Sequence, residues 1–278
     1  MKVALVQLTS SNNPAENLRL AEEFIREAHA GGAEFVLTPE TTNIISSSRK
    51  QQAEVLHTEA NDPSLARLRD LAQELEIWLL VGSLGLKIGD ADGRFANRSF
   101  LITPTGEIKA RYDKIHMFDV DLGNGEVYRE SSAYRPGTKA TLAKTEVGNI
   151  GMTVCYDMRF PDLYRQLAQA GAEILTAPAA FTVPTGRAHW HALLRARAIE
   201  NGCFVLAPAQ CGTHDWGREP RRETYGHSLA ISPWGEVLAD GGEMQGVTFV
   251  DLDLNDVAMA RTKIPSLRHD RDFEPPEA

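Results

Sequence analysis

The chain carries one pattern twice. Gly32-Ala33-Glu34-Phe35-Val36-Leu37-Thr38-Pro39 resembles Gly171-Ala172-Glu173-Ile174-Leu175-Thr176-Ala177-Pro178. Further on, Ser99-Phe100-Leu101-Ile102-Thr103-Pro104-Thr105-Gly106-Glu107-Ile108 resembles Ser228-Leu229-Ala230-Ile231-Ser232-Pro233-Trp234-Gly235-Glu236-Val237. Either match alone is common turn chemistry. Two matches in the same order, on the same element types, imply a duplicated structural unit.

Each copy reads as strand, helix, strand, helix, strand and hairpin. Residues 3–8 are an apolar run short enough for a buried strand. Asn13-Pro14 supplies a cap and a proline at the first helical position, and Leu18, Ala21, Phe24, Ile25 and Ala28 follow at helical spacing until Gly31-Gly32. Phe35-Val36-Leu37 is a second strand; Asp62-Pro63 opens a helix with Leu65, Leu68, Leu71 and Leu75 on one face, and residues 77–81 form a third strand. In the second copy, a strand ends at Thr153-Val154, Pro161 opens a helix, Ile174-Leu175 is a strand, residues 188–200 are helical and residues 204–207 are a strand. Two such units stack as an α/β fold, a four-layer α-β-β-α sandwich. No linker rich in Pro, Gly or Ser separates the halves, so one domain is expected over residues 1–273, with residues 274–278 a tail that is loose or docks only on a partner.

Composition narrows the partners. Of 278 residues, 42% are hydrophobic, which is ample for a core. The 38 acidic and 29 basic side chains leave a net charge of −9, unsuited to nucleic acid or an anionic membrane surface. No apolar run reaches the roughly 20 residues of a membrane helix, and the run after Met1-Lys2 is too short for a signal peptide. A small molecule is the expected partner. Three cysteines cannot all pair within the chain, which suits a reducing cytosol.

Those cysteines are the main chemical question. Cys203, in Cys203-Phe204-Val205-Leu206, reads as a buried core residue, and Cys211, beside Gly212, stays open. Cys155 stands where Gly151-Met152-Thr153-Val154 gives way to Tyr156-Asp157-Met158-Arg159-Phe160-Pro161 and a helix. Position alone leaves it either structural or nucleophilic. A strand-to-helix turn near a helix N-terminus would lower its pKa and supply oxyanion donors. None of the eight histidines sits opposite it at a strand end. Glu40 does, after Phe35-Val36-Leu37-Thr38-Pro39, and burial there would raise its pKa toward that of a working base. Lys114, in Arg111-Tyr112-Asp113-Lys114-Ile115-His116, taken singly is a surface lysine. Together the three side chains make a complete set for acyl transfer through a thioester, with the carboxylate moving a proton from thiol to leaving amine and the ammonium holding an oxyanion.

Thr38-Pro39-Glu40, Tyr112-Asp113-Lys114-Ile115-His116 and Val154-Cys155-Tyr156-Asp157-Met158-Arg159-Phe160-Pro161, in that order, resemble the nitrilase, or carbon–nitrogen hydrolase, superfamily. The resemblance runs from Lys2 to about Phe273. It implies an α-β-β-α sandwich whose subunits pair, and amide hydrolysis without metal or organic cofactor. It makes Glu40 the general base, Lys114 the oxyanion stabiliser, Cys155 the nucleophile and the Tyr156 backbone N–H a second oxyanion donor. A second glutamate is implied in the following loop; Glu130, ahead of Pro136-Gly137, matches best and Glu126 competes. Tyr156-Asp157-Met158-Arg159-Phe160 resembles the Nit amidase branch. Ala209-Gln210-Cys211-Gly212, with Leu194-Arg195-Ala196-Arg197-Ala198-Ile199-Glu200, looks more like the amidases of deaminated glutathione than the ω-amidases of 2-oxoglutaramate. Such substrates are 2-oxo acids, so a cation near the thiol is expected. Arg159 is the candidate, with the alternative of an ion pair at the start of the helix, and Thr185 would add a hydroxyl.

Other chemistries fit less well. Gly226-His227-Ser228-Leu229-Ala230 approximates a nucleophile elbow but leads into a hairpin rather than a helix. His189-Trp190-His191 puts two histidines on different faces of a helix, and no Cys-x-x-Cys accompanies them. No nucleotide-binding glycine motif is present. An inactive scaffold is the remaining non-enzyme reading, and the intact Glu40, Lys114 and Cys155 argue against it.

Overall fold

The structure, a computed structural model, describes residues 1–89, 91–123, 127–217, 219 and 221–276. The first half runs β1 (Lys2–Gln7), α1 (Pro14–Ala30), β2 (Phe35–Leu37), α2 (Arg49–Val55), α3 (Pro63–Glu74), β3 (Trp78–Lys87), β4 (Phe95–Ile102) and β5 (Ile108–Asp113). A short hairpin, β6 (Asp119–Asp121) and β7 (Val127–Arg129), then leads to the second half. That half comprises β8 (Thr141–Thr145), β9 (Gly148–Met152), α4 (Pro161–Gln169), β10 (Ile174–Thr176), α5 (Val183–Asn201), β11 (Phe204–Ala207), β12 (Cys211–His214), β13 (Arg222–Tyr225), β14 (Leu229–Ile231), β15 (Val237–Asp240), β16 (Gly246–Asp251) and α6 (Asn255–Lys263).

One six-stranded sheet has the order β16-β1-β2-β3-β4-β5 and the other β15-β14-β11-β10-β9-β8. In each, three parallel strands run into an antiparallel hairpin, and an antiparallel strand flanks the first of the three. The duplication therefore extends to single hydrogen bonds. The Thr38 N–H donates to Leu80 O at 2.9 Å and, in the other half, the Ala177 N–H donates to Leu206 O at 2.9 Å. Both hairpin turns close in the same way, Gly106 N–H to Thr103 O and Gly235 N–H to Ser232 O, each at 2.9 Å.

Alternation along β1 explains how one apolar run serves two layers. Val3 and Leu5 face the core shared with the second sheet, where they join Ile150, Met152, Leu206 and Ile231. Ala4 and Val6 point the other way, into the core under α1 and α3 with Ile25, Leu68 and Leu71. Both faces of the strand are dry, as a parallel sheet covered on both sides requires.

The expected caps are present: the side chain of Asn13 accepts from Ala15 N–H at 3.1 Å and that of Asp62 from Leu65 N–H at 2.8 Å. Several boundaries differ: β3 runs on to Lys87 rather than ending at 81, and β9 ends at Met152 rather than at Val154. α5 begins at Val183 rather than at 188, because Pro184 is tolerated in a first turn and Gly186 is there for packing. A Cβ on Gly186 would lie 2.2 Å from Cγ of Tyr225, so the residue that reads as a loop signal is a close helix-to-hairpin contact.

Candidate active site

The parallel strands of the two sheets deliver Glu40 and Cys155 to one place. Glu40 follows β2, and Cys155 follows β9 after two residues. Cys155 has φ +49°, and Thr41, next to Glu40, has φ +54°. A non-glycine residue in that region stores strain of about 1–3 kcal/mol, held here by the surroundings. The Cys155 N–H donates to Pro178 O at 2.9 Å. The buried carboxylate of Asp157 accepts from Val154 N–H at 2.9 Å, His116 N–H at 3.0 Å and the Tyr112 hydroxyl at 2.7 Å. His116 Nδ1 lies 2.7 Å from the same carboxylate, and its ring stacks on Phe160 at 3.5 Å. One carboxylate thus ties the cysteine turn to the end of β5, where Lys114 stands.

Lys114 is 2% exposed and Glu40 4%. The Lys114 ammonium donates to Glu40 Oε1 at 2.9 Å and to Glu130 Oε1 and Oε2 at 3.0 and 2.8 Å. Asn97, on β4, donates from Nδ2 to Glu40 Oε1 at 2.9 Å and Glu130 Oε1 at 3.2 Å. The second oxygen of Glu40 accepts from Ala180 N–H at 2.9 Å, and Glu130 Oε2 accepts from Phe118 N–H at 2.7 Å. Structure therefore brings Glu40, Lys114, Glu130 and Cys155 together. Glu126, the competing glutamate, lies outside the described residues. The Tyr156 N–H has no acceptor among the described residues.

Two expected pKa directions are reversed. Burial does push the Glu40 carboxyl up, but the charge and hydrogen bond of Lys114 outweigh it and hold Glu40 below the usual carboxylate value. Burial and the neighbouring Glu40 charge push the Cys155 thiol well above its usual value, against the opposing charge of Lys114. Cys155 opens a single stretch of 3-10 helix, Cys155–Arg159, rather than a full α-helix, which limits the helix contribution. Burial acts to lower the Lys114 pKa, but Glu130 and Glu40 hold it well above normal. The resting cluster is carboxylate, ammonium and neutral thiol.

These groups form the floor of a cavity of about 370 Å³ whose walls include Phe118, Tyr128, Phe181 and Thr185. Thr185 reaches the cavity, with its hydroxyl 2.7 Å from that of Thr182. Arg159 does not line it: its guanidinium sits 5.4 Å from the Phe181 ring and 5.8 Å from that of Tyr156, with His189 Nδ1 3.3 Å away. Arg222 lines it instead. Cys203 is fully buried, and Cys211 is buried on β12 with its sulfur 3.5 Å from the Thr9 hydroxyl; neither lines the cavity. Asn97, Asp157 and Arg222 were missed by sequence reasoning. Asp157 lay within a recognised segment, but an asparagine on a strand and an arginine in a charged run carry no signal of their own. Away from the cavity, His191, His227 and Asp240 bring ligand-type atoms within 4.8 Å of one another, a grouping that residue spacing does not reveal.

Two stacked sheets with a carboxylate, an ammonium and a thiol gathered at the strand ends define a nitrilase-type hydrolase, acting on carbon–nitrogen bonds other than peptide bonds. The chain belongs to the carbon-nitrogen hydrolase family, whose model matches residues 2–262. It is 41% identical over 273 residues to the deaminated glutathione amidase of Yersinia enterocolitica, covering 97% of this chain and 92% of that one. The structure of Saccharomyces cerevisiae Nit3, a member of branch 10 of the nitrilase superfamily, is similar with a TM-score of 0.84 and 29% identity over 97% of this chain and 96% of that one. A mutant amidase from Nesterenkonia sp. AN1, with the acetamide moiety of fluoroacetamide added covalently at its active-site cysteine, is similar with a TM-score of 0.77 and 26% identity over 93% and 92% of the two chains. No helix among the described residues is long and apolar enough to cross a membrane.

Proposed function

We propose that the chain hydrolyses the amide of deaminated glutathione by way of a thioester on Cys155. The observation that carries this reading is the cluster of buried Glu40, Lys114 and Cys155 with half-buried Glu130 on the cavity floor, in a chain whose relatives bear that amidase's name. Glu40 takes the thiol proton as sulfur bonds to the amide carbon. The carbonyl electron pair moves to oxygen, where the Lys114 ammonium and the Tyr156 N–H hold it. Collapse breaks the carbon–nitrogen bond, and Glu40 passes its proton to the departing amine. Water then adds to the thioester, giving a proton to Glu40 while Glu130 orients it; the carbon–sulfur bond breaks and Glu40 returns the proton to sulfur.

The charge balance of the site favours this order. Glu40 is a base already in its ionised form, and the thiol keeps its proton until a carbonyl oxygen reaches Lys114. For the carboxylate of the 2-oxo acid, Thr185 supplies a hydroxyl on the wall. Arg159 supplies positive potential from behind the Tyr156 and Phe181 rings without touching the ligand. No step in this scheme calls for a metal or an organic cofactor. We also read the protein as cytosolic, with one domain over residues 1–273 and subunits that assemble as a homodimer or higher homo-oligomer. Ile199 and Trp234, each 52% exposed at adjoining positions of α5 and the β14–β15 turn, support a covered face.

The test compares amine release from deaminated glutathione and from 2-oxoglutaramate. Preference for deaminated glutathione is expected. Preference for 2-oxoglutaramate would replace this reading with an ω-amidase, and activity on neither would overturn it.

A further inference from the structure

We propose that Arg222 binds the carboxylate at the far end of the leaving group, so that the enzyme selects amides whose departing amine is a short peptide with a free C-terminus. The inference rests on the proposed activity: deaminated glutathione splits into a 2-oxo acid and a cysteinylglycine dipeptide, which ends in a carboxylate.

Arg222 opens β13, and this strand docks on the segment that carries Ala180. The Tyr225 N–H donates to Phe181 O at 2.9 Å, and Thr182 bridges to Thr224. Arg222 Nη2 donates to Ala180 O at 2.8 Å, while the N–H of Ala180 donates to Glu40 Oε2. Its guanidinium lies 5.9 Å from the Tyr128 ring centre. The Nε of Arg222 is buried with no acceptor among the described residues. A buried arginine N–H without a partner is costly; because water does not reach Nε, a ligand carboxylate entering the cavity pairs with it only as the side chain turns toward the cavity that Arg222 lines.

Other cations on the cavity wall are engaged. Lys114 is held by two carboxylates. Arg49 donates to Ser132 O and Asp92 O, and Arg129 donates to Val120 O and Tyr128 O. Among the described residues lining the cavity, Arg222 is the arginine with a buried, unanswered N–H.

Position decides which end of the substrate it meets. The oxyanion belongs beside Lys114 and the Tyr156 N–H. The leaving nitrogen must lie against Glu40, which gives it a proton. Arg222 adjoins Glu40 on the Oε2 side through Ala180, opposite the oxygen bound by Lys114. Its cavity, at about 370 Å³, lies in the range that encloses ligands of drug size and exceeds what a five-carbon 2-oxo acid amide fills. The space beyond the reacting carbonyl is therefore room for a leaving group, with a guanidinium at its edge.

The experiment measures kcat and KM on three substrates: deaminated glutathione, the same compound with a C-terminal carboxamide, and 2-oxoglutaramate. For the unmodified enzyme, amidation of the C-terminus should reduce kcat/KM by about tenfold or more, chiefly through KM. Arg222→Gln should lose a similar factor on deaminated glutathione, become indifferent to amidation, and fall by at most a few fold on 2-oxoglutaramate; Arg222→Lys should recover part of the loss. An unmodified enzyme indifferent to amidation would overturn the inference without any variant having to fold. Equal losses by Arg222→Gln on all three substrates would overturn it too, leaving Arg222 a positioning residue for Ala180 and Glu40. Hydrolysis of 2-oxoglutaramate with neither peptide amide cleaved would overturn the proposed activity, and this inference with it.

Discussion

The ammonium of Lys114 lies 2.9 Å from Oε1 of Glu40, and both side chains are shut away from solvent. One cation therefore answers two carboxylates, since Glu130 shares it at 2.8 Å. Removing one partner from a buried pair is costlier than the pair is worth, because a bare charge is left behind. Lys114→Met should destabilise the fold by about 3–5 kcal/mol and reduce kcat by about a hundredfold or more. Adding Glu130→Gln should restore part of the stability and none of the activity. Denaturant unfolding and steady-state kinetics on the single and double variants check both statements.

Asp157 holds the cysteine turn without reaching the cavity. Its carboxylate accepts three hydrogen bonds from donors on two segments far apart in the chain, and it is fully buried. An asparagine keeps the shape but offers a single acceptor oxygen and turns an NH₂ toward other donors. Asp157→Asn should cost about 2–4 kcal/mol, from broken charge-assisted bonds and a buried donor facing donors. The same change should lower kcat more than it raises KM, since Cys155 is displaced rather than the substrate contacts. Unfolding midpoints and the kcat-to-KM split are the readouts.

His214 makes stability depend on pH. Burial pushes its pKa down to about 4, against the bond from its ring to Ser10 O, and the Arg222 charge adds to the lowering. Its Nδ1 lies 2.7 Å from Ser10 O and its Nε2 2.6 Å from the Thr224 hydroxyl, so the neutral ring donates at Nδ1 and accepts at Nε2. Between pH 4 and 6.5 the unfolded chain takes up a proton that the folded chain refuses. The stabilisation is complete above pH 6.5 and is lost as pH falls toward 4, to a total of about 3 kcal/mol. His214→Gln should flatten this part of the stability curve, as followed by urea unfolding at a series of pH values.

The thiols should differ by access rather than by acidity. Burial raises all three, Cys203 to about 11, yet only Cys155 faces the cavity. Iodoacetamide should therefore modify Cys155 first, and a substrate analogue that fills the cavity should protect it. Peptide mapping after timed alkylation reads this directly; equal labelling of Cys155, Cys203 and Cys211 would contradict it.

How much was legible in the sequence follows from the range of each signal. The duplicated segments and caps are local, and the strands, turns and helix starts they imply are in place. Glu40, Lys114 and Cys155 were legible because they sit in recognisable segments at strand ends; Glu130 was reached only through the family resemblance, with Glu126 as its competitor. Charge at the site was not legible. Burial alone would raise the Glu40 carboxyl, whereas Lys114, just past the end of β5, holds it down; a helix N-terminus alone would lower the Cys155 thiol, whereas burial and the Glu40 charge hold it up. Asn97 is placed by the register of β4 against β3 and β5, and Arg222 by a hairpin that begins in a run of charges reading as solvated surface. The same holds for His214, whose carbonyl partner Ser10 is 204 residues away. Arg159 shows the converse: it is near Cys155 in sequence, yet its guanidinium sits against the Phe181 and Tyr156 rings and does not line the cavity.

The most direct test of the account is the turnover of deaminated glutathione by Cys155→Ala, measured on protein whose thermal unfolding shows an intact fold. A thiol that forms the bond to the acyl group cannot be replaced by water or by the oxyanion donors alone, so kcat should fall by about 10⁴-fold or more. Residual turnover within about a hundredfold of the unmodified enzyme would contradict a thioester mechanism at Cys155.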